Sequence, residues 1–156
     1  MEIASQTKSK SSRKPGPGAA LRHLRLGWIW LLIFLTLGIV LELFHGFKLG
    51  WYLDVSNEMR RLMWRLAHAH GTFMGIVHLV FAWSTTLLPS WAIPAQRMAG
   101  SLLTAASVLI PGGFFLGGLW HYEGDPGLGI VLLPLGAILL FASATMVVVA
   151  AFKEER

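Results

Sequence analysis

The chain contains no cysteine in 156 residues. That single absence removes disulfides, thiolate metal sites, iron–sulfur clusters and covalent attachment of a c-type haem. Any metal would have to be held by histidine, carboxylate or methionine. Charge is scarce as well: Asp, Glu, Lys and Arg together make up 13% of the residues, and only eight are acidic. No glycine-rich run is followed by Lys-Ser or Lys-Thr. PGGFFLGG and GDPGLG both lie in apolar sequence, which excludes a phosphate-binding loop.

At 54% hydrophobic residues and a mean hydropathy of +0.60, the chain is too apolar for a soluble domain of its length and too short for several domains. The net charge of +5 does not point to nucleic acid, because the basic residues lie in the N-terminal tail and beside the apolar runs, where they act as topology signals. Four runs approach the ~20 residues a membrane-spanning helix needs. They cover about residues 26–44, 66–88, 98–120 and 128–151. Continuous runs of this kind are helices, whereas strands of a membrane barrel alternate over ~10 residues. The expectation is therefore all-α: a polytopic four-helix transmembrane bundle over residues 21–156, preceded by a disordered basic tail at residues 1–20. The first apolar run has no small-x-small cleavage site, so it reads as an uncleaved span rather than a signal peptide. Composition alone leaves a eukaryotic organelle-targeting tail as the other reading of residues 1–20.

The connections carry their own signals. Met59, Leu62, Met63 and Leu66 recur at helical spacing while Arg60, Arg61 and Arg65 point elsewhere, which predicts an interfacial amphipathic helix over about 57–65. Asp54, Ser56 or Asn57 is placed to cap it. In HYEGDPG, Asp125 is placed as the N-cap of the fourth span and Pro126 as its first residue. Nine Lys and Arg fall on one side of the four-span plan and four on the other, which predicts that both termini are cytoplasmic. Trp28, Trp30 and Trp91 then fall at the inner interface and Trp51, Trp64 and Trp120 at the outer, forming aromatic belts.

Helices associate within lipid through small residues. The second span gathers His68, Gly71, Gly75, His78, Ala82 and Thr85 on one face, and the first gathers Gly27, Gly38, Glu42 and His45. The third span has one such stripe through Gly100, Thr104 and Ser107 and another through Gly113 and Gly117, nearly opposite. The second stripe predicts contact with another membrane subunit or with a second copy of the chain.

Ionisable side chains inside a bilayer raise a functional question. Glu42 and His45 close the first span, His68 and His70 open the second, and His121 ends the third, all at the extracytoplasmic boundary. The Glu-x-x-His spacing puts Glu42 and His45 on one helical face, as in metal sites within helical bundles. This layer would suit a transition metal such as iron, copper, zinc or manganese. The other reading is that His45, His70 and His121 are interfacial amphipathic rings and that Glu42 pairs with Arg65. His78 lies roughly 12–15 Å deeper by the helical rise, too far to join that layer. It would be either an axial ligand of haem b or a hydrogen-bonding partner of Thr104 or Ser107. His23 falls in the basic tail and is expected to do nothing.

The plan of four spans, with LGIVLELFHGFK closing the first, a His-rich start to the second, a glycine-rich third and PLGAILLFASA in the fourth, resembles small conserved bacterial membrane proteins of unknown function. LAHAHGTFMG separately resembles the His-x-His opening of helices in small proteins akin to haem–copper oxidase subunits, a likeness that involves only His68 and His70. Two functional expectations result. One is a non-enzymatic integral protein of a bacterial inner membrane, serving as a subunit or accessory factor of a membrane complex. The other is a metal- or haem-b-binding redox protein.

Overall fold

A computed structural model of the chain describes residues 18–54, 58–122 and 124–154. The elements are α1 (Gly18–Gly46), α2 (Met59–Leu87), α3 (Ile93–Leu119), a 3-10 turn (Leu128–Val131) and α4 (Leu132–Glu154). Among the described residues the fold is all-α. Three stretches, α1, α3 and Leu128–Glu154, are long and apolar enough to cross a membrane.

The helices follow one another antiparallel. Along α1 and α2, Gly27 meets Gly75, Phe34 meets Gly71 and Gly38 meets His68, so rising numbers on one helix meet falling numbers on the other. Likewise Trp64 meets Gly118, the His70 ring contacts Phe114 and His78 bonds Ser107 between α2 and α3. Gly136 meets Ile110 and Ser143 bonds the carbonyl of Ala99 between α4 and α3. Thus α2 and α3 form the centre, with α1 packed on α2 and α4 on α3. The glycines are where backbones approach. A Cβ on Gly27 would sit 2.9 Å from the Gly75 carbonyl oxygen, and one on Gly136 would sit 2.7 Å from Ile110 Cγ1.

Three apolar clusters fill the interior from end to end. Phe81, Trp91, Ala99 and Leu103 close the end where the 88–92 connection lies. Met74, Ala106 and Ile110 occupy the middle. Leu41, Tyr52, Met63 and Trp64 close the opposite end. The outward faces of α1 and α4 stay apolar and exposed, as at Leu32, Ile39, Ile138 and Phe141.

Several sequence expectations change here. The tail expected over 1–20 lies mostly outside the described residues, but α1 already begins at Gly18, so His23 is helical rather than part of a tail. The separate interfacial helix at 57–65 does not form. From Met59 that segment is the opening of a single 29-residue α2, because Met63 and Trp64 bury against α3 and Arg60 donates to the carbonyls of Gly118 (3.3 Å) and Trp51 (2.9 Å). Glu58 holds the N-cap position without a side-chain capping bond, and Ser56 and Asn57 lie outside the described residues. Asp125 does not cap the fourth helix. Its backbone pairs with Tyr122 in an isolated bridge, and Gly127 precedes the 3-10 turn.

The Gly113/Gly117 face does not wait for a second copy. The amide of Gly127 donates to the Gly117 carbonyl at 2.9 Å, and a Cβ on Gly113 would meet the Gly129 carbonyl oxygen at 2.9 Å. The chain's own 3-10 turn covers that stripe. The aromatic belt is also partial: Trp28 and Trp120 are exposed, but Trp91 is buried, and so is Trp64, whose Nε1 donates to the Phe115 carbonyl at 3.1 Å.

Candidate functional site

The most concentrated buried polar chemistry lies where α1, α2 and α3 meet. His23 is 3% exposed, and His78 and Ser107 are 0% exposed, within an otherwise apolar interior. His23 Nδ1 stands 2.9 Å from His78 Nδ1, His78 Nε2 stands 3.1 Å from Ser107 Oγ, and Ser107 Oγ donates to the Thr104 carbonyl at 2.8 Å. The two imidazoles are nearly parallel with centroids 5.1 Å apart, and Phe81 meets His23 edge-on at 4.6 Å.

The direction of every bond in this chain follows from its last member. A carbonyl only accepts, so the Ser107 hydroxyl proton is committed to Thr104, and Ser107 Oγ must accept from His78 Nε2–H. A neutral His78 then has a bare Nδ1, which accepts from His23 Nδ1–H. His23 Nε2 is left as a lone pair facing Gly100, where any Cβ would collide with it. Pro111 deepens the polarity of this region: it has no N–H to give the Ser107 carbonyl four residues earlier. Chemically, the chain can accept one proton, at His23 Nε2, and it ends blind at the Thr104 carbonyl. What the bonds themselves do is tie α1, α2 and α3 together.

His78 makes the hydrogen bond to Ser107 that was one of its two expected roles, and its Nδ1 bonds His23. Sequence reasoning missed His23, although a signal existed. His23 and Gly27 are four residues apart, so extending the small-residue face of α1 back by one turn reaches it.

The expected metal layer is divided between different surfaces. Positions two apart on a helix point ~200° apart, and His68 and His70 accordingly serve opposite sides of α2. His68 donates from Nδ1 to the Phe34 carbonyl at 2.6 Å and lines a groove of about 890 Å³ between α1 and α2, together with Glu42 and Arg65. His70 donates from Nδ1 to Leu66 of its own helix at 2.8 Å, tilts against Phe114 and lines an apolar cavity of about 700 Å³ between α2, α3 and α4. His45 is exposed at the end of α1, and His121 is half-buried just beyond α3. Among the described residues no three His, Asp or Glu side chains gather as a metal ion requires. No ion pair joins Glu42 to Arg65 either; Arg61 pairs with Glu58.

At the same end, Phe44, Trp51, Tyr52, Trp64 and Phe115 form a run of ring contacts, and the Arg60 guanidinium lies 5.8 Å from the Trp51 ring centre. Burial pushes the Tyr52 phenol above its usual 10.0, against the pull of Arg65 and Arg61.

Comparison with protein families, with curated proteins and with solved structures finds no match to this chain, so its function rests on the side chains themselves.

Proposed function

We propose that the chain crosses a bacterial inner membrane four times, with both termini in the cytoplasm, and serves as a non-catalytic subunit or accessory factor of a membrane complex. The fourth crossing is α2. It is less apolar than its neighbours, yet it lies antiparallel along α1 from Gly75 to His68, and its other face lies on α3. A helix held along that length by two membrane-crossing helices shares their depth. The bacterial setting follows the likeness of the four-span plan, and the orientation follows the nine-to-four distribution of Lys and Arg.

One observation carries the non-catalytic reading: of the six buried polar side chains among the described residues, four (His23, His78, Ser107 and Ser143) join helices. Thr85 bonds within its own helix and Gln96 bonds the Trp91 carbonyl, while the buried atoms Trp30 Nε1 and Thr72 Oγ1 have no hydrogen-bond partner. His78 and Ser107 join α1 to α3, Ser143 joins α4 to α3, Trp64 joins α2 to α3 and His68 joins α2 to α1. Membranes solubilised in mild detergent provide the test. The chain should migrate on a native gel in an assembly larger than itself and cross-link to a different membrane protein. Migration as a bare monomer at native expression would overturn the reading.

A second reading, a metal- or haem-b-binding redox protein, retains one supporting observation. Glu42 and His68 line one groove, and the His68 Nδ1–H bond to a carbonyl leaves Nε2 unprotonated, the state a metal needs. Protein extracted gently should then carry a stoichiometric transition metal or a Soret band. Less than about a tenth of an equivalent would exclude it, because a tight site survives purification.

A further inference from the structure

The groove between α1 and α2 combines opposite charges with a long apolar wall. It is lined by the polar side chains of Glu42, Arg65 and His68 and by the apolar side chains of Leu35, Ile39 and Leu66. Glu42 and Arg65 are both exposed, they lie on facing helices, and no ion pair joins them. Leu35 lies seven positions before Glu42, ~10 Å farther along α1 by the helical rise. The groove is therefore amphipathic along its length, with a carboxylate and a guanidinium toward the end of α1 and the start of α2 and exposed apolar side chains farther along α1.

We propose that this groove is a binding site for a zwitterionic phospholipid of the phosphatidylethanolamine class. The headgroup carries a phosphate and a primary ammonium a few ångströms apart, the same pair of charges in complementary sense. Arg65 presents a planar fork of N–H donors to the phosphate. Glu42 accepts N–H bonds from the ammonium, and His68 Nε2, bare because Nδ1 donates to Phe34, supplies a further acceptor. The first acyl segment lies against Leu35 and Ile39. A purely anionic head would satisfy Arg65 but set its charge against Glu42. A choline head would bring a cation that has no N–H to donate. The site thus selects among heads by Glu42 and holds all of them by Arg65. It does not depend on whether the chain works within a larger complex.

The experiment uses the full chain in mild detergent, equilibrated with mixed micelles containing equal amounts of phosphatidylethanolamine, phosphatidylglycerol and phosphatidylcholine. Retained lipid is then counted by native mass spectrometry. Phosphatidylethanolamine should be retained preferentially. Arg65→Gln should lower retention of all three by about tenfold, the equivalent of ~1.4 kcal/mol. Glu42→Gln should leave total retention in place and transfer the preference to phosphatidylglycerol. Arg65→Lys, which keeps charge but not the fork, should lower retention without altering the order of preference, and it serves if Arg65→Gln does not fold. Glycerophosphoethanolamine, the same head without chains, should not displace the lipid at equal concentration. Equal retention of the three lipids by the wild type overturns the proposal. So does an unchanged preference in Glu42→Gln, or displacement by the chainless head.

Discussion

At the scale of single residues, the directed chain from His23 through His78 to Ser107 separates side chains that are merely polar from those that join helices. Removing one member leaves another without its partner in an apolar surrounding, and an orphaned buried donor or acceptor costs about 1–3 kcal/mol. His78→Phe should therefore destabilise the detergent-solubilised protein by that amount, since it leaves His23 Nδ1–H without an acceptor. Replacing His23 and His78 together by leucine should cost less than the two single changes added, with a coupling of roughly 0.5–3 kcal/mol in a double-mutant cycle. Additive losses would mean that the 2.9 Å contact contributes nothing to the fold. His78 was legible in the sequence as a costly residue on a small-residue face. Its partner was missed, although the small-residue face extended one turn back from Gly27 reaches it, because hydropathy dates the first span from Leu26, whereas packing against α2 and α3 extends the helix back to Gly18.

At the scale of elements, the glycines divide by what stands opposite them. Gly112 has nothing near its missing Cβ, while a Cβ on Gly118 would lie 2.7 Å from Trp64 Cδ1 and one on Gly127 would collide with the Trp120 carbonyl. Gly112→Ala, in a helix interior, should leave stability unchanged or raise it by about 0.5–1 kcal/mol. Gly118→Ala and Gly127→Ala should lower the midpoint of thermal unfolding, the second by detaching the 3-10 turn from α3. Equal behaviour of the three variants would contradict the close approach of that turn. The small-residue stripe through Gly113 and Gly117 was visible in the sequence, but its occupant was not. Spacing shows that backbones can approach on a face and carries no information on whether the approaching segment belongs to the same chain.

For the whole molecule, the number of crossings decides where the ends lie. Reporters fused after Arg156 and inserted between Leu88 and Ala92 should both be active in the cytoplasm, and one inserted after Trp120 should be active outside. If only α1, α3 and α4 crossed, the two termini would fall on opposite sides, and the reporter after Arg156 would betray it.

Four helical segments and an apolar exterior are properties of the sequence itself. They depend on runs of adjacent residues meeting a solvent that cannot hydrogen-bond a peptide group. The segments expected at 26–44, 66–88, 98–120 and 128–151 each lie within or nearly within an observed helix, longer at the ends where turns and aromatic contacts extend it. Which polar groups meet depends on residues far apart in the chain, and only tertiary packing decides that. It placed His23 against His78, 55 positions away, and Trp64 against Phe115, 51 positions away. It divided Glu42 and His68 from His70, which the sequence had put in one layer by depth alone. Depth follows from counting residues along each helix. Azimuth between helices follows from side-chain fit, and no single helix contains that information.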